Sequence, residues 1–267
     1  MYKKFNVEES RAAIANCDLG VCPAVDHVDG LMRSSSPSVV TEKDPEAVVA
    51  GSTIVSIVAG MSEENRQAVK DSVLLATLAA DKKYKNSNDD AVEWYGEFIA
   101  FLKHCGWLPQ VSAFSDYRAN TTHFTMEQEG LKILASAIAA MALPNPTTGE
   151  VLLKVAQDAI AVLQASEGPL ELFERSSKSK KGAKFAIASA VQSADGELVT
   201  AMGAVNFTAS HDVTNVLFWE WENTAVRIKQ VENHMLFNMR QYNDVKADIQ
   251  AALTDRARSA LQAFRID

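Results

Sequence analysis

FAIASAVQSADGELVTAMGAVNF, residues 185–207, decides the fold. Phe185, Ile187, Ser189 and Val191 alternate with Ala186, Ala188 and Ala190, the two-residue period of a strand. Asp195-Gly196 is a hairpin turn signal, and LVTAMGAVNF (198–207) returns as the partner. Neither arm carries a side chain with evident chemistry, so the stretch reads as scaffold.

Downstream, VTNVLFWEWE (213–222) places Val213, Asn215, Leu217, Trp219 and Trp221 on one face of a third strand. In TAVRIKQVENHMLFNM (224–239), Val226 and Ile228 alternate with Arg227 and Lys229 as a fourth. Residues 242–264 read as a closing helix with a stripe of Val245, Ile249, Ala252 and Leu253.

Upstream the period is helical. AVVAGSTIVSIVAGMS (47–62) carries no charge and reads as a core-facing helix of weak intrinsic propensity, beginning after Glu42-Lys43-Asp44-Pro45. Ser62-Glu63-Glu64 opens a more conventional helix, and DKKYKNSNDD (81–90) is a solvated turn. The helix that follows has Val92, Tyr95, Phe98, Ile99 and Leu102 on one stripe, and ends before Pro109. QVSAFSDYRANTTHFTM (110–126) reads as strand or irregular extended chain. MEQEGLKILASAIAAMAL and GEVLLKVAQDAIAVLQA then form a helical hairpin around Pro144, Pro146 and Gly149.

The expected class is α+β: an antiparallel sheet of four or more strands covered by helical hairpins, in one globular domain. Its parts are a flexible arm (1–44) containing RSSSPS (33–38), helical hairpins (45–166), a β-meander (182–238) and the closing helix.

Composition narrows the function. The 267 residues carry a formal net charge of −8, against general nucleic-acid binding. Three cysteines give no disulfide framework, and five scattered histidines have no metal-ligand spacing. No GxSxG, Walker, GxGxxG, HExxH or EF-hand pattern occurs, so neither enzyme activity nor a cofactor is expected. Val7-Glu8-Glu9-Ser10 interrupts any secretory apolar region and no run reaches the ~20 apolar residues of a spanning helix. A protein made soluble, with any release by a non-classical route, is the expectation.

Candidate contacts remain. Arg175, Lys178, Lys180, Lys181 and Lys184 concentrate in RSSKSKKGAK (175–184), either a solvated loop or an anionic-lipid contact. Trp219 and Trp221 face either the core or a membrane interface. Cys105, beside Gly106 at a helix end, is either a buried structural thiol or an acyl acceptor. The uncharged runs 47–62 and 133–149 suit core helices or segments that partition to a bilayer surface once released.

The order of helical hairpins, sheet and closing helix resembles the Cyt-type δ-endotoxins, single-domain α/β cytolysins. The similarity of pattern runs from about 173 to 253: Leu172-Phe173, the strand from Phe185 to Gln192, Asp195-Gly196, Val205-Asn-Phe207, Val216-Leu217-Phe218-Trp219, Val226-Arg-Ile228, then Tyr242 ahead of Ala251-Ala-Leu253. A looser resemblance is to the acylated Erwinia virulence-factor type of secreted protein. The resemblance implies a soluble toxin whose terminal segments are trimmed and whose helices swing off the sheet. It would then bind lipid, and oligomerise on or disrupt the membrane, without a catalytic residue. A lipid-handling effector and a structural assembly protein are the alternatives.

Overall fold

A computed structural model describes residues 6–17, 19, 44–84, 90–110, 113–141, 143, 145–193, 195–258 and 260–266. The opening stretch is a hairpin of β7 (Gly182–Gln192) and β8 (Leu198–Ala209), paired antiparallel from Gly182↔Thr208 to Gln192↔Leu198. Its turn closes with Gly196 N–H donating to Ser193 O at 2.9 Å, and Gly196 takes φ 83°, where glycine is favoured. β10 (Val226–Phe237) continues the antiparallel order along the other edge of β8.

The rest of the sheet comes from unexpected places. Residues 47–62 do not form a helix. They make the hairpin of β1 (Glu46–Ala50) and β2 (Thr53–Ile57), every residue of which is buried. Their β-branched residues pack on a pleated surface, and Gly51 makes the reversal at φ 57°. β2 runs parallel to β7, from Thr53↔Ala186 to Ile57↔Ala190. The closing helix is also shorter than expected: α7 (Met239–Ala252) is followed by α8 (Asp255–Arg258) and β11 (Leu261–Arg265), antiparallel to β1. With β3 (Trp107–Pro109) beside β10, the order is β11-β1-β2-β7-β8-β10-β3. β4 (Ser115–Tyr117) also pairs β10, and β6 (Lys178–Ser179) pairs β7.

Helices cover both faces. On one lie α1 (Val7–Ala15), α2 (Glu63–Lys83), α3 (Ala91–His104) and α7, over Val55, Ile57, Ala186, Ala188, Ala190, Met202 and Ala204. On the other lie α4 (Met126–Ala139), α5 (Pro146–Gln164) and α6 (Glu167–Ser177), over Phe185, Ile187, Val205 and Phe207. The alternation of β7 thus sorts small from large, alanines towards α2 and α3 and bulky side chains under α4 and α5, while β8 turns Met202 to the first face and Ala201 and Gly203 to the second. The fold is α+β with a mostly antiparallel sheet.

Three further expectations change. The first part of the arm is not loose chain: α1 is capped by Asn6, buries Ile14 and ties to α3 by Ser10 Oγ···His104 Nδ1 at 3.1 Å. The RSSSPS segment lies outside the described residues. On α3, Val92 is 48% exposed, and the buried stripe instead runs from Ala91 through Trp94, Tyr95 and Phe98. Residues 213–219 turn rather than extend, with Phe218 N–H donating to Asn215 Oδ1 at 2.7 Å, and only β9 (Glu220–Glu222) is strand. It pairs β5 (His123–Thr125) in a separate two-stranded sheet.

α4 lies unusually close to the strands. A Cβ on Gly203 of β8 would stand 2.8 Å from Ile133 Cγ2 and 3.0 Å from the Leu134 backbone nitrogen; one on Gly130 of α4 would meet Ile187 Cδ1 at 2.7 Å. Gly203→Ala is therefore expected to destabilise by about 1–3 kcal/mol, because helix backbone must move to admit the methyl. Urea unfolding would show a lower midpoint at unchanged slope; a raised midpoint would mean that α4 shifts freely.

Candidate functional site

The basic segment spans the end of α6, β6 and the turn into β7. Arg175 ends α6 exposed, and Lys180 and Lys181 project from the turn. The turn is fixed by its backbone: Val213 N–H donates to Lys180 O at 3.1 Å and Ala209 N–H to Lys181 O at 2.8 Å. Lys178, half-buried, donates to Thr214 O at 3.2 Å. Beside it Glu174 accepts from Val216 N–H at 2.8 Å, and burial raises its carboxyl above the ordinary range against the opposing effects of that bond and Lys178. These contacts lay the 213–219 loop against the basic turn, and Trp219 on that loop is 43% exposed. One end of the sheet thus presents four basic side chains, and the loop bonded to them carries the exposed Trp219. A shallow depression beside it is lined by Thr208, Ser210, Thr224 and Arg227.

Three expected contacts are elsewhere. Lys184 lies three residues into the strand from the exposed Lys181 and is 3% exposed, so it touches no headgroup in this conformation. Its ammonium is 3.6 Å from Asp81 Oδ1 and 4.5 Å over the Trp94 ring. Trp221 is 1% exposed and packs against Phe207 and His211 at 5.5 and 5.2 Å; turning at 214–219 separates it from Trp219. Cys105 caps the C-terminus of α3 fully buried, and burial pushes its thiol well above the ordinary range. In this conformation the thiol is packed in the core and held in its protonated, weakly nucleophilic form.

The Lys184–Asp81–Trp94 group was missed in the sequence. The signal was present: Lys184 is the one charged residue in β7, and β8 has none. A second missed group holds α4 to β4. Tyr117 OH donates to Glu129, whose Oε1 lies 2.7 Å from Lys132 Nζ, and burial followed by Glu129 raises the phenol. Among the described residues no cluster of three His, Cys, Asp or Glu could hold a metal ion, and no helix is long and apolar enough to cross a membrane.

No protein-family model matches the chain, and no curated protein sequence does. Among solved structures it is similar to the Evf virulence factor, with a TM-score of 0.34 at 10% identity over 71% of this chain and 70% of that one. It is likewise similar to a delta-endotoxin, with a TM-score of 0.34 at 11% identity over 78% of this chain and 93% of that one.

Proposed function

We propose that this chain is a membrane-active toxin or virulence protein that lands on anionic lipid through the basic turn and Trp219, then exposes its sheet by lifting a helical layer. The observation that carries the proposal is the make-up of the central strands. β7 and β8 run 11 and 12 residues and hold a single charged side chain between them, Lys184. A tilted strand of ~9–11 residues crosses the hydrocarbon core. In the closed state helices on both faces keep these strands from water. The α4–α5 hairpin suits a lid, having no charge from Ile133 to Gly149. Its seat on β7 is apolar apart from Ser189 Oγ donating to Leu152 O at 2.9 Å.

Dye release from anionic and zwitterionic vesicles, before and after limited proteolysis, tests the reading. Release from anionic vesicles is expected, with binding that weakens as salt rises. Changing Arg175, Lys178, Lys180 and Lys181 to Gln should weaken vesicle binding by up to about fivefold per side chain, from ~1 kcal/mol each. Binding without release would support a lipid-handling effector instead. Absence of both, in folded protein, removes the membrane reading and leaves an assembly protein.

A further inference from the structure

Lys184 poses a problem the membrane reading does not use. It points from β7 into the seam where the end of α2 meets the start of α3, and its side chain is 4% exposed. At 3.6 Å, Asp81 Oδ1 is within ion-pair reach but beyond hydrogen-bond length, and that oxygen already accepts Trp94 Nε1–H at 2.7 Å. Trp94 is itself stacked on Phe98, ring centroids 5.3 Å apart. The Lys184 ammonium has no hydrogen-bond acceptor among the described residues. The same holds for the buried hydroxyls of Ser52, Thr53, Thr77 and Ser177. They belong to the same end of the sheet: Thr53 pairs with Ala186, and Thr77 is one helical turn before Asp81. A Cβ on Gly51 would meet Thr77 at 2.8 Å and Asp81 at 3.6 Å. So the α2–α3 hairpin is seated here on under-bonded polar groups, whereas further along it is seated on alanines.

We propose that the Lys184–Asp81 pair is an electrostatic spring beneath the α2–α3 hairpin: burial of its charges biases that hairpin to lift at neutral pH, and loss of the lysine proton lets it close. A buried charge is stabilised by hydrogen bonds, and this ammonium makes none within the described structure; lifting the hairpin gives it water. Among the described residues, the charged or titratable groups around it are Asp81 from α2 and Asp90 before α3, with Lys83 directed to Glu97 at 2.7 Å and half-exposed. The shift agrees in sign. Burial lowers Lys184 to about 8 against the opposing pull of Asp81 and Asp90. Burial also raises Asp81, so closure disfavours both charges. Between about 8 and 10.5 the open form keeps the lysine proton that the closed form has lost, so raising pH through this window favours closure. From pH 7 to pH 9 the closing constant should rise about tenfold.

The test is amide hydrogen exchange on the whole protein in lipid-free buffer, corrected for intrinsic rates, so its failure is separate from failure of the membrane reading. Protection of residues 71–83 and 91–104 is expected to rise about tenfold from pH 7 to pH 9 relative to residues 126–164. In Lys184→Met/Asp81→Asn, which keeps an acceptor for Trp94, protection should be high at both pH values and flat. The same pH dependence in the folded double variant overturns the spring. So does an unchanged relative protection in the wild-type protein, which decides the matter even where the variant does not fold.

Discussion

Glu46→Ala is expected to lower the free energy of unfolding by about 3–5 kcal/mol, the usual consequence of removing one partner from a buried ion pair. Glu46 opens β1 and is 3% exposed, and the Arg66 side chain it faces from α2 is fully buried. Glu46 Oε2 is 3.4 Å from Arg66 Nη1, and Oε1 is 2.6 Å from Lys70 Nζ. The guanidinium also donates to Met61 O at 2.9 Å and to Asp44 O at 2.6 Å, so it is fixed in place and cannot follow the lost carboxylate to water. Lys70, one turn on and partly exposed, can. Glu46→Met/Arg66→Met should recover most of the loss, because an apolar pair of similar volume removes the desolvated charge altogether. Chemical denaturation of the two variants checks this. A loss below about 1 kcal/mol for Glu46→Ala would mean that water reaches Arg66.

Glu46 also shows why parts of the fold were hidden in the sequence. Residues 42–45 looked like a helix start because acidic residues and a proline lead into an apolar run. A strand buried on both faces has no alternation to betray it, so 47–62 offered only its Val, Ile and Thr content and Gly51. β11 was hidden for another reason: Leu261–Arg265 is strand by virtue of β1, more than 200 residues away. In 213–219 an apparent period of two was overridden by Asn215 closing a local turn. By contrast, β7 was legible because it presents two different faces, alanine against Phe, Ile and Val, and β8 because Asp195-Gly196 turns the chain back beside it. The α4–α5 hairpin was legible because two helical runs flank Pro144, Pro146 and Gly149, and the structure adds Thr125 and Asn145 as the caps. The basic turn was legible as a cluster, but local sequence could not separate Lys184 from it. That separation depends on Asp81 and Trp94, residues of two other elements.

The largest functional effect is expected from tying the α4–α5 hairpin to the sheet. The contact between Ser189 Oγ of β7 and Leu152 O of α5 brings the two backbones together through the apolar layer. Leu152→Cys/Ser189→Cys uses that contact, and Ser136→Cys/Glu232→Cys provides an independent tie, where Ser136 Oγ donates to Glu232 at 2.8 Å from α4 to β10. Each pair forms a bond only if its Cβ atoms come within about 4.5 Å. Cys105 is fully buried, but Cys17 is partly exposed and Cys22 lies outside the described residues, so Cys17→Ser/Cys22→Ser belongs in the background to prevent mispairing. Neither tie alters Arg175, Lys178, Lys180, Lys181 or Trp219, so vesicle binding should persist in the oxidised protein. Dye release should fall to the background level and return on reduction, because the apolar faces of β7 and β8 under α4 and α5 cannot meet lipid while the layer is bonded down. A lipid carrier or an assembly subunit would not respond to the tie. Release at the untied rate from fully oxidised protein would show that this layer never leaves the sheet. The membrane step would then have to come from the opposite face, where the Lys184 pair lies under α2 and α3.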